Sequence, residues 1–131
     1  MHAFYYRHVT DAALRALDGI MKLPTLSSNA AMIAAQQYGA MGDFPRTEAA
    51  LQKLTQLAPD LPEGWYDLAA LRATMGKLQE ALPPLRRAFE LGAKRQAANP
   101  KAPDLIAKAR QDPSFASLRN TPEFKQLTAP K

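Results

Sequence analysis

The chain has 131 residues, of which 47% are hydrophobic and 22% charged, a composition that predicts one folded domain and excludes a disordered or collagen-like chain. Cysteine is absent, which excludes disulfides, thiolate metal sites and a cysteine nucleophile. Residues 94 to 131 carry the whole net charge of +5, with eight Lys/Arg against three Asp/Glu.

Hydropathy along the chain argues against a membrane protein. No run approaches the roughly 20 consecutive apolar residues that a transmembrane helix requires. The start, MHAFYYRHVT, lacks the apolar stretch of a secretion signal. We therefore expect a soluble chain without a membrane span, for which the cytoplasm and the periplasm both remain open.

The first predicted element in chain order is a helix over residues 11 to 23, DAALRALDGIMKL. Ala13 and Leu17 lie four residues apart, which puts them on one face of such a helix. Phe4, Tyr5 and Tyr6 precede this helix, and we assign them to another packing element.

An internal repeat follows, since residues 29 to 59 align with residues 63 to 93 at a single fixed offset. Small, large apolar and glycine positions recur together: Ala31 with Trp65, Ala34 with Leu68, Ala35 with Ala69, Met41 with Met75, Gly42 with Gly76, Leu51 with Leu85 and Leu57 with Leu91. Apolar residues also fall three or four apart within each repeat, which predicts two amphipathic helices per repeat.

Turn-forming residues indicate where these helices begin and end. Gly42 and Gly76 suit the left-handed residue that ends a first helix. Pro45 suits the start of a second helix, where its missing N–H costs nothing. Between the repeats, Asp60 and Glu63 have the spacing of a capping box.

The four helices of the two repeats are therefore predicted over Ala31 to Met41, Pro45 to Leu57, Glu63 to Met75 and Leu78 to Leu91. Pro83 and Pro84 conflict with the last of these, because each lacks a backbone donor. We expect that helix to start late or to kink there.

These residues resemble the tetratricopeptide repeat, in which the pattern W-x2-L-G-x2-Y, A-x3-F and P recurs with a period of about 34 residues. The first repeat carries Ala35, Tyr38, Gly42, Phe44, Leu51 and Pro59 of this pattern, and the second carries Trp65, Leu68, Ala69, Ala81, Leu85 and Ala88. It departs from the pattern where Ala31 replaces the tryptophan, Thr47 a small alanine and Arg72 the tyrosine.

The resemblance implies an all-α solenoid of helical hairpins, forming a single domain over residues 1–131. Residues 11–23 would be the second helix of a preceding half-repeat, residues 28–61 the first repeat and residues 62–95 the second. Because no first helix for the half-repeat precedes it, we expect a C-terminal fragment of a larger bacterial protein.

Residues 96–131 are predicted to form a helical C-terminal cap. Asp112-Pro113 and Thr121-Pro122 each read as an N-cap followed by proline at the first helical position. Phe115 with Leu118, and Phe124 with Leu127, would cover the apolar side of the last repeat. Such an ending looks like those of bacterial tetratricopeptide proteins, some of them attached to large membrane enzymes.

No catalytic or metal-binding constellation is recognisable in the sequence. His2 and His8 lie near the amino terminus without the spacing of metal ligands, and we expect both to be solvated. No phosphate-binding loop or nucleophile elbow occurs. We expect a protein that is not an enzyme and needs no cofactor, with Trp65 and the five methionines serving as core packing.

In the tetratricopeptide family, peptides lie along a concave groove formed by the first helix of each repeat. Carried over to this chain, the groove consists of Asn29, Met32, Ile33, Gln36, Glu63, Tyr66, Asp67, Ala70, Ala73 and Thr74. The acidic side chains Glu63 and Asp67 favour an apolar or basic segment of a protein partner over an acidic one.

Two other functions remain open at this point. The first is a structural appendage that packs on the rest of a larger enzyme or membrane protein. The second is nucleic-acid binding through the basic tail, which we do not expect because the tail lacks stacking aromatics among clustered Lys/Arg.

Overall fold

The computed structural model describes the backbone of residues 2 to 129 and the side chains of residues 10 to 129. Throughout this range the regular structure is helical, which confirms the predicted all-α class. The helices are α1 (His2–Met21), α2 (Ser28–Ala40), α3 (Phe44–Leu57), α4 (Pro62–Thr74), α5 (Leu78–Ala98), α6 (Leu105–Gln111), a 3₁₀ helix (Pro113–Phe115) and α7 (Pro122–Thr128).

The chain divides into two compact units, one ending at Leu57 and one beginning at Ala58. The first unit holds α1 and the hairpin of α2 and α3, and the second holds the hairpin of α4 and α5 with everything after it. Of the helices that the structure describes, none combines the length and the apolar character needed to cross a membrane.

Helix α1 extends well beyond the predicted residues 11 to 23 at its amino-terminal end. It contains Phe4, Tyr5 and Tyr6, so these residues belong to the same helix and not to a separate element. Their side chains, and those of His2 and His8, lie outside the described side chains. The helix ends at Met21, shortly before Pro24, which disfavours helical backbone in the residue before it.

The two hairpins turn in the same way at equivalent positions of the two repeats. Gly42 has φ +75° and Gly76 has φ +79°, the left-handed conformation that was predicted for both. At the first turn the backbone N–H of Asp43 donates to the carbonyl of Tyr38, at 3.0 Å. At the second, the N–H of Lys77 donates to the carbonyl of Arg72, at 2.8 Å. Both are Schellman motifs, which satisfy carbonyls at the end of a first helix.

The capping box predicted at the start of α4 is wrong. The N-cap residue is Leu61, which has no side-chain acceptor, and Pro62 occupies the first helical position. Proline suits the first helical position, so the N-cap moves from the predicted Asp60 to Leu61. Asp60 remains exposed, and Glu63 instead turns towards Arg95.

Helix α5 begins at the predicted Leu78, so of the two expectations for Pro83 and Pro84 the late start is wrong, and the helix continues past the predicted end at Leu91 to Ala98. Pro84 lies inside the helix and cannot donate to the carbonyl of Glu80, four residues earlier. The guanidinium of Arg72 donates to that carbonyl at 3.2 Å. Arg72, which replaces the tyrosine of the repeat pattern, thus donates the hydrogen bond that Pro84 cannot donate.

In the first unit, an ion pair and a hydrogen bond link α1 to the hairpin of α2 and α3. The hydroxyl of Tyr38 donates to Asp18 at 2.5 Å, and Nε of Arg46 lies 3.0 Å from the same carboxylate. The hydrogen bond from Tyr38, followed by that from Arg46, holds the pKa of Asp18 below its usual range. Burial, followed by the hydrogen bond to Asp18, raises the pKa of the Tyr38 phenol.

In the second unit, Trp65 packs against the core but remains partly exposed, and its indole N–H donates to the carbonyl of Pro59 at 2.8 Å. Trp65 thus contributes to core packing, as predicted, although part of its side chain stays exposed. Its indole fixes the connection that leads into α4, since the bonded carbonyl lies three residues before the helix begins.

The bond between Arg72 and Glu80 predicts a coupling between Arg72 and Pro84. Arg72→Met should destabilise the second unit by about 0.5 to 1 kcal/mol, because the exposed Glu80 carbonyl exchanges its protein donor for water. In a Pro84→Ala background, residue 84 regains an N–H for that carbonyl, so the same substitution should cost less. Urea denaturation of the original chain, the two single variants and the double variant measures this coupling. If Arg72→Met lowers the free energy of unfolding equally in both backgrounds, the coupling is contradicted.

The lowered pKa of Asp18 predicts that acid weakens the first unit. A carboxylate whose folded pKa lies below its unfolded pKa contributes stability above the unfolded value, and this contribution is lost as pH falls through the folded value. Melting temperature should therefore decline as the pH falls below roughly 5, and Asp18→Asn should flatten that decline. Asp11→Asn, at an exposed aspartate of the same helix, is the control. An unchanged profile for Asp18→Asn would exclude this role.

Candidate functional site

The residues predicted to line a groove fall in the two different units, where their surroundings differ. Asn29, Met32, Ile33 and Gln36 lie on α2, in the first unit, and are called the α2 surface below. Glu63, Tyr66, Asp67, Ala70, Ala73 and Thr74 lie on α4, in the second unit.

The α2 surface is open. Asn29, Ile33 and Gln36 are exposed, with Ile33 at 49%, and Met32 is partly buried. These positions follow the three-to-four-residue spacing of a single helix face. The helix packs on α3, and its buried side chains lie on the opposite face: Ala31, Ala34, Ala35 and Tyr38. The serine at position 27 caps α2, because its hydroxyl accepts from the N–H of Ala30 at 3.1 Å.

The corresponding face of α4 is covered by the C-terminal segment, residues 99 to 129. Tyr66 is only 3% exposed and meets Phe115 edge to face, with ring centroids 5.5 Å apart. Ala73 is likewise buried, and Ala70 is partly buried against the same core. Tyr66 was predicted to line an open groove, but its ring is buried and packs within its own unit.

Three side chains of the C-terminal segment enter the core of the second unit: Phe115, Leu118 and Phe124 are each buried, and Leu127 packs against them. This confirms the prediction that they cover the apolar side of the last hairpin. The predicted caps are also present, because Asp112 accepts from the N–H of Ser114 and Thr121 from that of Phe124. Helix α6 was not predicted, although Asp104 caps it by accepting from the N–H of Ala107.

A hydrogen bond ties Tyr66 to the C-terminal segment. The Tyr66 hydroxyl donates to the carboxylate of Asp112 at 2.8 Å. Burial raises the pKa of Asp112, but the hydrogen bonds from Ser114 and Tyr66 outweigh burial and leave that pKa below its usual range. Burial, followed by the bond to Asp112, raises the pKa of the Tyr66 phenol. Asp112 therefore stays ionised and accepts from both groups.

The remaining polar residues on α4 also have partners within the unit. Arg95 donates to both carboxylate oxygens of Glu63, each at 2.8 Å. Burial raises the pKa of Asp67, and the nearby charge of Lys108 opposes this rise. Thr74 is exposed, and its hydroxyl donates to the carbonyl of Ala70 at 2.9 Å.

Basic side chains in and beside the C-terminal segment make internal contacts. The ammonium of Lys108 lies 4.6 Å from the centre of the Tyr66 ring, a cation–π contact. Arg119 donates to the carbonyl of Asp112 at 2.9 Å, and Arg110 donates to the carbonyl of Thr128. Arg95 pairs with Glu63, so four basic side chains of this region make contacts within the second unit.

Among residues whose side chains are described, no three His, Cys, Asp or Glu lie close enough together to hold a metal ion. Comparisons with protein-family models, with curated proteins and with solved structures found no match. A site is therefore assigned from the exposure, the contacts and the charges of its residues.

The bond between Tyr66 and Asp112 predicts how firmly the C-terminal segment is held. Tyr66→Phe keeps the ring packing and removes the hydroxyl, so it should cost about 1 to 2 kcal/mol. After Asp112→Ala the same substitution should cost markedly less, because the acceptor is gone. Amide exchange of α6 and α7 should accelerate in Tyr66→Phe. If Tyr66→Phe lowers the free energy of unfolding equally with and without Asp112→Ala, the hydroxyl does not act through Asp112.

Proposed function

We propose that the chain is a non-enzymatic protein-interaction module of the tetratricopeptide type, which binds a partner segment on the α2 surface. The recurrence of the glycine turn at equivalent positions of two hairpins, and the pairing of α2 with α3 and of α4 with α5, support this family. The observation that carries the site is the contrast between the two first helices. On α2 three of the four proposed contact residues are exposed, whereas on α4 Tyr66 and Ala73 are buried and, of the six, only Thr74 is exposed.

The chemistry of the α2 surface indicates the kind of partner. Ile33 and Met32 supply an apolar centre, and methionine adapts to different partner side chains. Asn29 and Gln36 flank this centre with amides, which can donate and accept hydrogen bonds without favouring either charge. The proposed partner is therefore an uncharged amphipathic segment, helical or extended, that buries apolar side chains on Ile33 and Met32.

The expectation of a basic partner rested on Glu63 and Asp67. Glu63 is paired with Arg95, and Asp67 is partly buried beside Lys108. The pairing of Glu63 and the partial burial of Asp67 thus reduce the negative charge that α4 presents to a partner. This leaves apolar contact as the main attraction, and a single short helix face implies modest, reversible affinity.

Site-specific photo-cross-linking tests this proposal. A photoreactive side chain at position 33 or 36 should cross-link to a partner in cells, whereas one at Gln52 or Gln56, exposed on α3, should not. Met32→Glu should abolish the cross-link from position 36, because it places a charge in the apolar centre, while circular dichroism stays unchanged.

Two results would contradict this assignment. Equal cross-linking from the α3 positions would show that the contact is unspecific. A cross-link from position 36 that survives Met32→Glu would move the site away from the α2 surface.

A further inference from the structure

The second unit contains a cavity of about 540 Å³ between α5, α6 and α7. None of its lining residues belongs to the α2 surface, which is part of the first unit. Its volume falls in the range of small-molecule sites, roughly 300 to 1,000 Å³. The side chains of its walls determine which ligand it can recognise.

The floor of the cavity is apolar. Phe89 on α5 is 7% exposed, and Ile106 and Leu127 are partly buried against the same core. Ala93, one turn beyond Phe89, is exposed at the mouth. An aliphatic chain lying on this floor would remove apolar surface from water on both sides of the contact.

The rim of the cavity carries two positive and two negative side chains, but only the negative ones have charged or capping partners. Glu90 lies 3.4 Å from the guanidinium of Arg87, and Asp104 accepts from the N–H of Ala107 as the cap of α6. Arg110 donates to the neutral carbonyl of Thr128. Arg86 has no hydrogen bond or ion pair with any residue whose side chain is described.

This imbalance leaves the guanidinium groups of Arg86 and Arg110 without a carboxylate partner among the described residues. Both groups line the same cavity, above an apolar floor. Guanidinium is the side-chain group best suited to bind a carboxylate, because its planar N–H groups match the two oxygens. The unmet charge therefore defines the polar end of a ligand, and the floor defines its apolar end.

We propose that this cavity binds a small aliphatic carboxylate. The hydrocarbon chain lies against Phe89, Ile106 and Leu127, and the carboxylate is held by Arg86 and Arg110. This site is independent of the interaction proposed for the α2 surface, and either can exist without the other.

Calorimetric titration of the full chain with decanoate tests the proposal, with decan-1-ol as a neutral probe of the same length. Decanoate should bind about ten-fold more tightly than the alcohol, because the alcohol gains no charge-assisted bond. Arg86→Gln should weaken decanoate about ten-fold and leave the alcohol unchanged. Lys94→Gln makes the same charge change on α5 outside the cavity lining, and should alter neither.

A second variant tests the apolar floor. Ala93→Trp places a large side chain in the mouth of the cavity at an exposed position, so binding of both probes should be lost while the melting temperature is kept. Decanoate binding that survives both Arg86→Gln and Ala93→Trp would place it elsewhere and overturn the proposal. So would capture of an apolar peptide with a free C-terminal carboxylate in the absence of decanoate binding, which would indicate a protein ligand.

Discussion

The hydrogen bond from Tyr66 to Asp112 joins the hairpin of α4 and α5 to the segment that follows it, at a separation of 46 residues. Asp112 simultaneously caps the 3₁₀ helix by accepting from Ser114. That helix ends at Phe115, whose ring packs on Tyr66 and lies 5.9 Å from the ring of Phe124. One carboxylate thus accepts hydrogen bonds both from α4 and from the 3₁₀ helix that carries Phe115 into the core.

The course of the C-terminal segment in turn forms the walls of the cavity. Leu105, at the start of α6, packs where α5 has glycine, since a Cβ at Gly92 would lie 3.1 Å from Leu105 Cδ1. This close approach brings Ile106 and Arg110 of α6 alongside Phe89. Arg110 then reaches the carbonyl of Thr128 at the end of α7. An alanine at position 92 would require the Leu105 side chain to shift slightly.

Sequence alone predicted the helical class, both glycine turns and the caps at Asp112 and Thr121, because each depends on a residue and its near neighbours. Sequence alone failed where a contact depends on a residue that is distant in the chain. Glu63 had the spacing of a capping box, but Pro62 makes Leu61 the N-cap residue, and the carboxylate of Glu63 pairs instead with Arg95, 32 residues away. Pro84 predicted a disturbed helix, and only the position of Arg72 reveals how the freed carbonyl is satisfied.

The candidate site illustrates the same limit. A repeat pattern assigns Met32 and Tyr66 to equivalent slots, since it compares each position only with its counterpart in the other repeat. Phe115 breaks that equivalence, because it buries Tyr66 and has no counterpart on α2 in the pattern. The cavity was also missed, since Arg86 and Arg110 come from helices that the sequence did not bring together. A pair of charges without carboxylate partners becomes visible only once all contacts are known.

A partner that binds the face of α4 would first have to displace Phe115, Leu118 and Phe124. Burial of one large apolar side chain contributes about 1.5 to 3 kcal/mol, so the three together oppose displacement by on the order of 5 to 9 kcal/mol, an upper bound that neglects residual burial in the unfolded segment. Each 1.4 kcal/mol weakens association about ten-fold, so the penalty would reduce affinity by roughly three orders of magnitude or more. The α2 surface carries no such penalty, because Ile33 is already half exposed. Association on α2 is therefore favoured even if α4 offers the better aromatic anchor.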